Sequence, residues 1–546
     1  MNQKLQAMLD KKAHIMLQGG QEKINKQHAK GKLTARERIN LLFDPGTFVE
    51  YNMFVRPRAT RFGMDKIDAP ADGIITGHGL INGRKAFAYA QDATVLGGSM
   101  GEMHGLKLAR MQELALEVGV PIVGLNDSGG GRLQEGPGAS VYGTIFYNNV
   151  NSSGVIPQIS ALMGSCAGGA SYSPALNDFI VMVDKTSKAF ITGPAVIKEV
   201  TGEVVDFETL GGATTHSTKS GLSHLVARDD YDCIEQIKSL LSFFPANCQL
   251  LPPIYATNDD VNRRIEELND IIPDSKRKAY DMKSVITKIA DDSFFFEISP
   301  AYARNIIVGF IRMGGMPVGV VANQASCMAG CLDINASCKA ARFIRTCDAF
   351  NIPLLSIVDV PGYLPGVNQE HDGIIRHGAK LLYAWAEATV PKIIMPIRKS
   401  YGGATPAMCS IDMKADFVIA WPSCERAVVG ADAAVEVLYK NEIAQAADPA
   451  AAREMYKEKY ETEFLNPYRS AELGKFEDVI EPTELTKVAK RRMGLGDLRY
   501  VPGQVLNPDG QRINMIWLII TGRAWSRDLY GVCATLGLRY VVCLTI

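Results

Sequence analysis

The sequence predicts an α/β fold built twice, and three observations carry the prediction. Short apolar runs alternate with helical stretches and glycine turns, the pattern of strand–helix–strand units. A segment then recurs at one fixed offset of 232 residues: Gly98 with Gly330, Lys107 with Lys339, Ala109 with Ala341, Arg110 with Arg342, Pro121 with Pro353 and Asp127 with Asp359. Finally, 546 residues are too many for one compact core, given roughly 100–200 residues per domain. Apolar residues make up 47% of the chain and charged residues 21%, which excludes disorder and fibrous structure over most of its length. Lys+Arg (58) and Asp+Glu (59) nearly cancel, so bulk charge gives no case for nucleic acid or an anionic membrane as partner.

Along the chain, residues 1–40 are polar with helical spacing. Thr34-Ala35-Arg36-Glu37 fits a capping box, followed by Ile39, Leu41 and Leu42. Lys23, Lys26, Lys30, Lys32, Arg36 and Arg38 read as a solvated helix face, with contact to an anionic ligand as the alternative. Strands are expected at 73–77, 85–90 and 121–126, and a helix at 106–118. After the third strand comes Asp127-Ser128-Gly129-Gly130-Gly131-Arg132, at the strand end where α/β folds place ligands. It closes with no Gly-Lys-Ser/Thr and is not a P-loop. An apolar run at 156–163 leads to Gly168-Gly169-Ala170. Pro252-Pro253 marks a linker, so one domain is expected at 1–257, a second at 258–490 and an atypical tail at 491–546. In the second copy the run at 392–397 leads to Gly402-Gly403-Ala404, then Thr405 and Pro406, with Pro406 suited to a first helical turn.

A glycine pair at a strand-to-helix junction leaves backbone N–H groups open to a ligand oxygen, an oxyanion hole. One such motif reads more readily as close packing; two at equivalent places favour chemistry. No Gly-x-Ser-x-Gly elbow is present. The eight histidines show no metal-ligand spacing, and the eleven cysteines form no Cys-x-x-Cys pair, so no metal is expected. The cysteine usage fits a reducing interior, and no secretory signal or membrane span is read, so a cytoplasmic location is expected. The combination suits enolate chemistry whose base comes from elsewhere.

These residues carry a resemblance. His28-Ala29-Lys30-Gly31-Lys32-Leu33-Thr34-Ala35-Arg36-Glu37-Arg38, SGGGRLQEG from Ser128, CAGGASYSPA from Cys166, GGATTH from Gly211, FFEISPAYARNIIVGF, the long segment from Gly330 to Gly366, GIIRHGAKLLYAWAEATVPK and YGGA from Tyr401 resemble the carboxyltransferase (beta) subunits of biotin-dependent acyl-CoA carboxylases, with the alpha subunits of methylmalonyl-CoA decarboxylases as relatives. The resemblance spans about 25 to about 484. It implies two tandem crotonase-like domains of the ClpP/crotonase superfamily, a homo-hexamer, and an active site between the N-domain of one subunit and the C-domain of another. It implies that Gly168-Gly169 stabilise the acyl-CoA thioester enolate and Gly403-Ala404 the biotin ureido oxygen. Ser128, Gly129, Gly130, Arg132, Tyr172, Asn335, Lys339, Thr405 and Pro406 are the expected substrate-binding residues. Biotin must arrive on another chain or domain, because the nearest match to its attachment motif, Ala407-Met408-Cys409-Ser410, lacks the lysine. Expected partners are biotin carrier and biotin carboxylase subunits, or a membrane decarboxylase subunit if the chain serves a sodium pump.

Two departures from the family stand out. Relatives usually carry Tyr after Gly-Gly-Ala where this chain has Thr405, and the family pattern ends near 485. Two further readings compete. A non-catalytic assembly subunit would have disrupted glycine loops. A biotin-independent hydratase would need an acidic base, for which Glu135 is the one candidate.

Overall fold

The computed structural model describes residues 2–136, 141–260, 262–275, 278–486, 488 and a two-residue strand pair at 505–506 and 512–513. The expected tail therefore lies almost wholly outside the described residues. Two eight-stranded sheets carry the fold. The first comprises β1 (Val49–Tyr51), β2 (Ile74–Ile81), β3 (Arg84–Gln91), β4 (Ile122–Ser128), β5 (Gln158–Ala167), β6 (Phe179–Val183), β7 (Lys188–Phe190) and β8 (Leu225–Ala227). Its order is β1-β2-β3-β4-β5-β6-β8, with β7 also pairing β5. The second comprises β9 (Phe296–Ile298), β10 (Ile306–Met313), β11 (Met316–Asn323), β12 (Leu354–Val360), β13 (Lys392–Tyr401), β14 (Phe417–Ala420), β15 (Glu425–Ala427) and β16 (Asp478–Val479), with the order repeated strand for strand and β15 on β13.

The repeat extends to register. Phe87 faces Ile122 as Gly319 faces Leu354, and Ile74 faces Gln91 as Ile306 faces Asn323, each pair again 232 apart. Both opening hairpins turn through two left-handed residues, Asn82-Gly83 and Gly314-Gly315, the geometry a two-residue hairpin demands. Each turn is held by one carboxylate: Asp44 accepts both N–H groups of the first, Asp291 both of the second. All seven residues of β4 and all seven of β12 are buried, as expected of parallel strands covered on both faces.

The crossover helix of the first half runs over Glu102–Val118, starting four residues before the expectation. Its cap is long-range: the Glu135 carboxylate accepts the Glu102 N–H at 2.8 Å, a signal absent from local sequence. Its counterpart, Ile334–Ala349, is capped locally by Asp333. The halves share one core. Phe310 sits 5.3 Å from both Phe243 and Phe244 and 5.0 Å from Phe343, with Phe244 also 5.3 Å from Phe350.

Candidate active site

Each half breaks step at the same place. The β4–β5 register shifts between Asn126 and Ser128, and the β12–β13 register between Val358 and Val360. The skipped residue is an aspartate whose N–H is caught by a side-chain amide, Asp127 by Gln91 Oε1 and Asp359 by Asn323 Oδ1, both at 3.2 Å. Such a bulge re-aims the strand end out of the ladder. A second loop docks on it. Leu96, Gly97 and Gly98 are all left-handed (φ 49, 63 and 64), as are Met328, Ala329 and Gly330 (φ 48, 51 and 77). Three left-handed residues in a row, several with Cβ atoms, store strain that the surroundings must sustain. Glycine is required at the contact: a Cβ on Gly98 would lie 2.1 Å from Asp127 O, and one on Gly330 2.5 Å from Asp359 O.

The glycine pairs sit beside these loops, at the ends of β5 and β13. Gly168 (φ 58) and Gly402 (φ 56) are the equivalent left-handed residues. The Gly168 N–H donates to Phe190 O at 3.0 Å and the Gly402 N–H to Ala427 O at 2.9 Å. The open donors are one residue on. The N–H groups of Gly169, Ala170, Gly403 and Ala404 have no acceptor among the described residues. Gly168, expected as an oxyanion donor, is thus corrected: its proton is committed to the neighbouring strand β7. Gly403 has an ordinary helical φ of −65, and a Cβ there would meet nothing within 4 Å. Neither its backbone nor packing among the described residues demands glycine there. Gly169 is walled on one side, where a Cβ would stand 2.8 Å from the Tyr142 ring. Tyr142, missed in the sequence, has a buried hydroxyl without a hydrogen-bond partner.

Behind the two bulges the aspartates are neutralised differently. Asp127 takes Lys32 at 2.6 Å and Arg38 at 3.1 Å, and Arg38 also bridges to Asp230 at 2.8 Å. Asp359 takes Arg398 at 3.0 Å and the Tyr280 hydroxyl at 2.9 Å. The solvated-face reading of the N-terminal cations therefore holds for Lys23, Lys26 and Lys30 only. Lys32 and Arg38 are buried, and Arg36 pairs with Glu50 at 2.9 Å.

Two other expected substrate residues are spent inside the protein. The Arg132 guanidinium bridges Asp72 and Glu135, both at 2.6 Å, and donates to Ser99 O at 2.7 Å. Lys339 Nζ is ringed by the carbonyls of Ser299, Tyr302, Ala303 and Ile306, just as Lys107 holds those of Ala71 and Ile74. Burial pushes Lys339 down to about 7 and Lys107 to about 8, while the carbonyl rings favour the charged form. Glu135 caps a helix and pairs with Arg132, which removes the one candidate base for a hydratase. Of the rest, Ser128 Oγ accepts the Gly130 N–H, Gly129 donates to Gly97 O, and both line the bulge. Tyr172 and Asn335 are exposed, Thr405 is buried against Ser400, and Pro406 is half-buried. Pro406 is the third residue of the helix Ala404–Ala407, within its first turn. Among the described residues no group of three or more His, Cys, Asp or Glu is placed to hold a metal, and no helix is long and apolar enough to cross a membrane.

A family model described as the carboxyl transferase domain matches residues 26–495. The chain is 55% identical over 480 residues to the methylmalonyl-CoA decarboxylase subunit alpha of Propionigenium modestum, covering 88% of this chain and 93% of that one. It is 51% identical to the mitochondrial propionyl-CoA carboxylase beta chain of Mus musculus, covering 87% of each. The structure of the transcarboxylase 12S hexamer with methylmalonyl-coenzyme A and methylmalonic acid bound superposes with a TM-score of 0.90 at 48% identity, over 92% of this chain and 97% of that one. The α/β architecture of two tandem crotonase-like units expected from the sequence is the fold of these neighbours.

Proposed function

The chain belongs to the carboxyl transferase family, and from that premise we propose that it moves a carboxyl group between biotin, carried on another chain or domain, and a short-chain acyl-CoA of the propionyl/methylmalonyl type. The observation that carries this reading is the duplicated cradle of unbonded amides, with Gly403 kept side-chain-free although nothing in its own fold requires it. Gly169 with Ala170 stabilises the thioester enolate oxygen, and Gly403 with Ala404 receives the biotin ureido oxygen. Donors fixed before reaction cost no reorganisation as charge develops, which is where such sites gain their rate. The open space at Gly403 fits a flat ureido group approaching the backbone, and carboxylated biotin supplies CO2 and a basic nitrogen when bound. The chain's own part is to hold the oxygens, orient the acyl α-carbon and exclude water. No side-chain base is needed. Tyr172, Thr405 and Pro406 flank the cradles and are proposed to shape the acyl pocket.

In this reading the units are 1–257 for the acyl-CoA side and 258–490 for the biotin side, and the site forms between unlike halves of two subunits in a homo-hexamer. Biotin carrier and biotin carboxylase subunits are the partners, in the cytoplasm. A second reading, the carboxyltransferase subunit of a methylmalonyl-CoA decarboxylase coupled to a membrane subunit, is favoured by the 55% and 53% identities to such alpha subunits. The test is a transfer assay of the purified protein with carboxybiotin and acetyl-, propionyl-, butyryl- and glutaryl-type thioesters. Carboxylation of propionyl-CoA above the others is expected. Transfer to none of them rejects the proposal.

A further inference from the structure

Outside the cradles, the seam between the halves opens a cleft of about 810 Å³ whose walls are the helices Ile334–Ala349 and Ile374–Glu387 and the segment 176–178. Its lining is cationic, with Arg342, Arg345, Arg376 and Lys380 against the acids Asp178, Asp348 and Glu387. Arg345 pairs with Glu387 at 3.2 Å, and Arg342 donates to Asn177 O. Arg376 and Lys380 have no carboxylate partner among the described residues. Into this corner projects Cys338, half-exposed, its Sγ 3.2 Å from His377 Nδ1 and 3.9 Å from Lys380 Nζ. Lys380 Nζ also lies 3.0 Å from the same Nδ1, and Arg376 3.3 Å from Nε2. Desolvation, with the charges of Lys380 and Arg376 beside the ring, holds His377 below its ordinary value, and the thiol sits within reach of its Nδ1. A thiol touching a neutral imidazole, with an ammonium beside the sulfur, is the arrangement that generates a thiolate nucleophile.

We propose that Cys338 is a reactive thiol that forms a mixed disulfide with an anionic disulfide of the glutathione class, whose carboxylates are held by Arg376 and Lys380. The proton passes from Cys338 Sγ to His377 Nδ1. The thiolate attacks one sulfur of the incoming disulfide, a new S–S bond forms as the old one breaks, and the departing thiolate takes the proton from His377. The incoming disulfide is the oxidant, so the exchange needs no other electron acceptor. Among the described residues the other half-exposed thiols, Cys248, Cys327 and Cys331, have neither a histidine nor a lysine in hydrogen-bond contact. The segment 176–178 directly follows the helix that begins at Gly169, so an occupant of the cleft lies behind the first cradle.

The test uses the assembled full-length protein incubated with oxidised glutathione, followed by mass mapping without reductant. One glutathionyl adduct on Cys338, removable by dithiothreitol, is expected, forming faster than on the other thiols. His377→Gln should slow labelling by at least about tenfold, since a positioned base contributes on that scale or more. Lys380→Met should slow labelling by both disulfides, but by oxidised glutathione severalfold more than by the uncharged hydroxyethyl disulfide, because only glutathione also loses a carboxylate contact. An unlabelled Cys338, labelling no faster than Cys248, Cys327 and Cys331, or a His377→Gln protein that reacts at the parent rate would each overturn the proposal.

Discussion

The two halves bury the same aspartate at the same break in the same strand and neutralise it by opposite means. In the second half the base comes from the adjacent strand, Arg398 on β13. At the matching position of the first half stands Gly164, where a Cβ would lie 1.8 Å from the Asp127 carboxylate and 2.6 Å from Lys32 Nζ. The cations come instead from the N-terminal segment, Lys32 and Arg38. One half thus carries its own counter-charge within the sheet, and the other borrows it from a segment outside the repeat. A duplicated fold retains the acid that shapes the site and is free to choose where its partner originates.

The largest test of that contrast is Arg38→Met. It leaves Asp127 and Asp230 short of a partner in the interior, and removal of one member of a buried pair costs about 3–5 kcal/mol. Arg398→Met should cost less, because it strips one carboxylate of a cation where Arg38→Met strips two. Denaturant unfolding of both variants measures the difference, and equal losses would break the comparison.

The cradles differ in a second way. Gly403→Ala should lower transfer by about 10²–10³-fold with an unchanged melting temperature, because its Cβ would keep an oxygen from the amide, and that is the scale of one lost oxyanion contact. Gly169→Ala should lose both activity and stability, because its Cβ meets Tyr142. Kinetics and calorimetry on the same samples separate the cases.

Acid should act through the first half, which holds both buried histidines. Burial depresses His104 and His224 to about 3, against an ordinary value of 6.5. The unfolded chain therefore binds more protons over that window, and stability present at neutral pH is lost as pH falls from about 6.5 towards 3. At pH 5 the loss is about 2 kcal/mol for each histidine. Replacing His104 with Gln should flatten the fall in melting temperature between pH 7 and 5 by about half. The smallest expected effect is that of Lys339→Met, about 1–3 kcal/mol of stability from unpaired carbonyls, with KM for acyl-CoA unchanged.

The repeat was legible because identical residues at one offset mark equivalent backbone, Gly98 with Gly330 among them. The strain itself was hidden, since Leu96, Met328 and Ala329 are not turn formers. The positions of the glycine pairs were legible, but which amide is free was not. That depends on Phe190 and Ala427, residues of strands added later in the chain. Arg132 and Lys339 read as ligand-directed because a cation near a glycine loop looks so until its internal acceptors are known, and Lys32 and Arg38 read as a solvated face because their acceptors, Asp127 and Asp230, lie far along the chain.

The slipped step in β4 and in β12 has a wider implication. A ladder in perfect register ends with nothing to offer, every rung already taken. By carrying a flaw through the doubling of the gene, this protein inherited two ready-made vacancies at its strand ends. Divergence then had only to decide which visitor each would welcome.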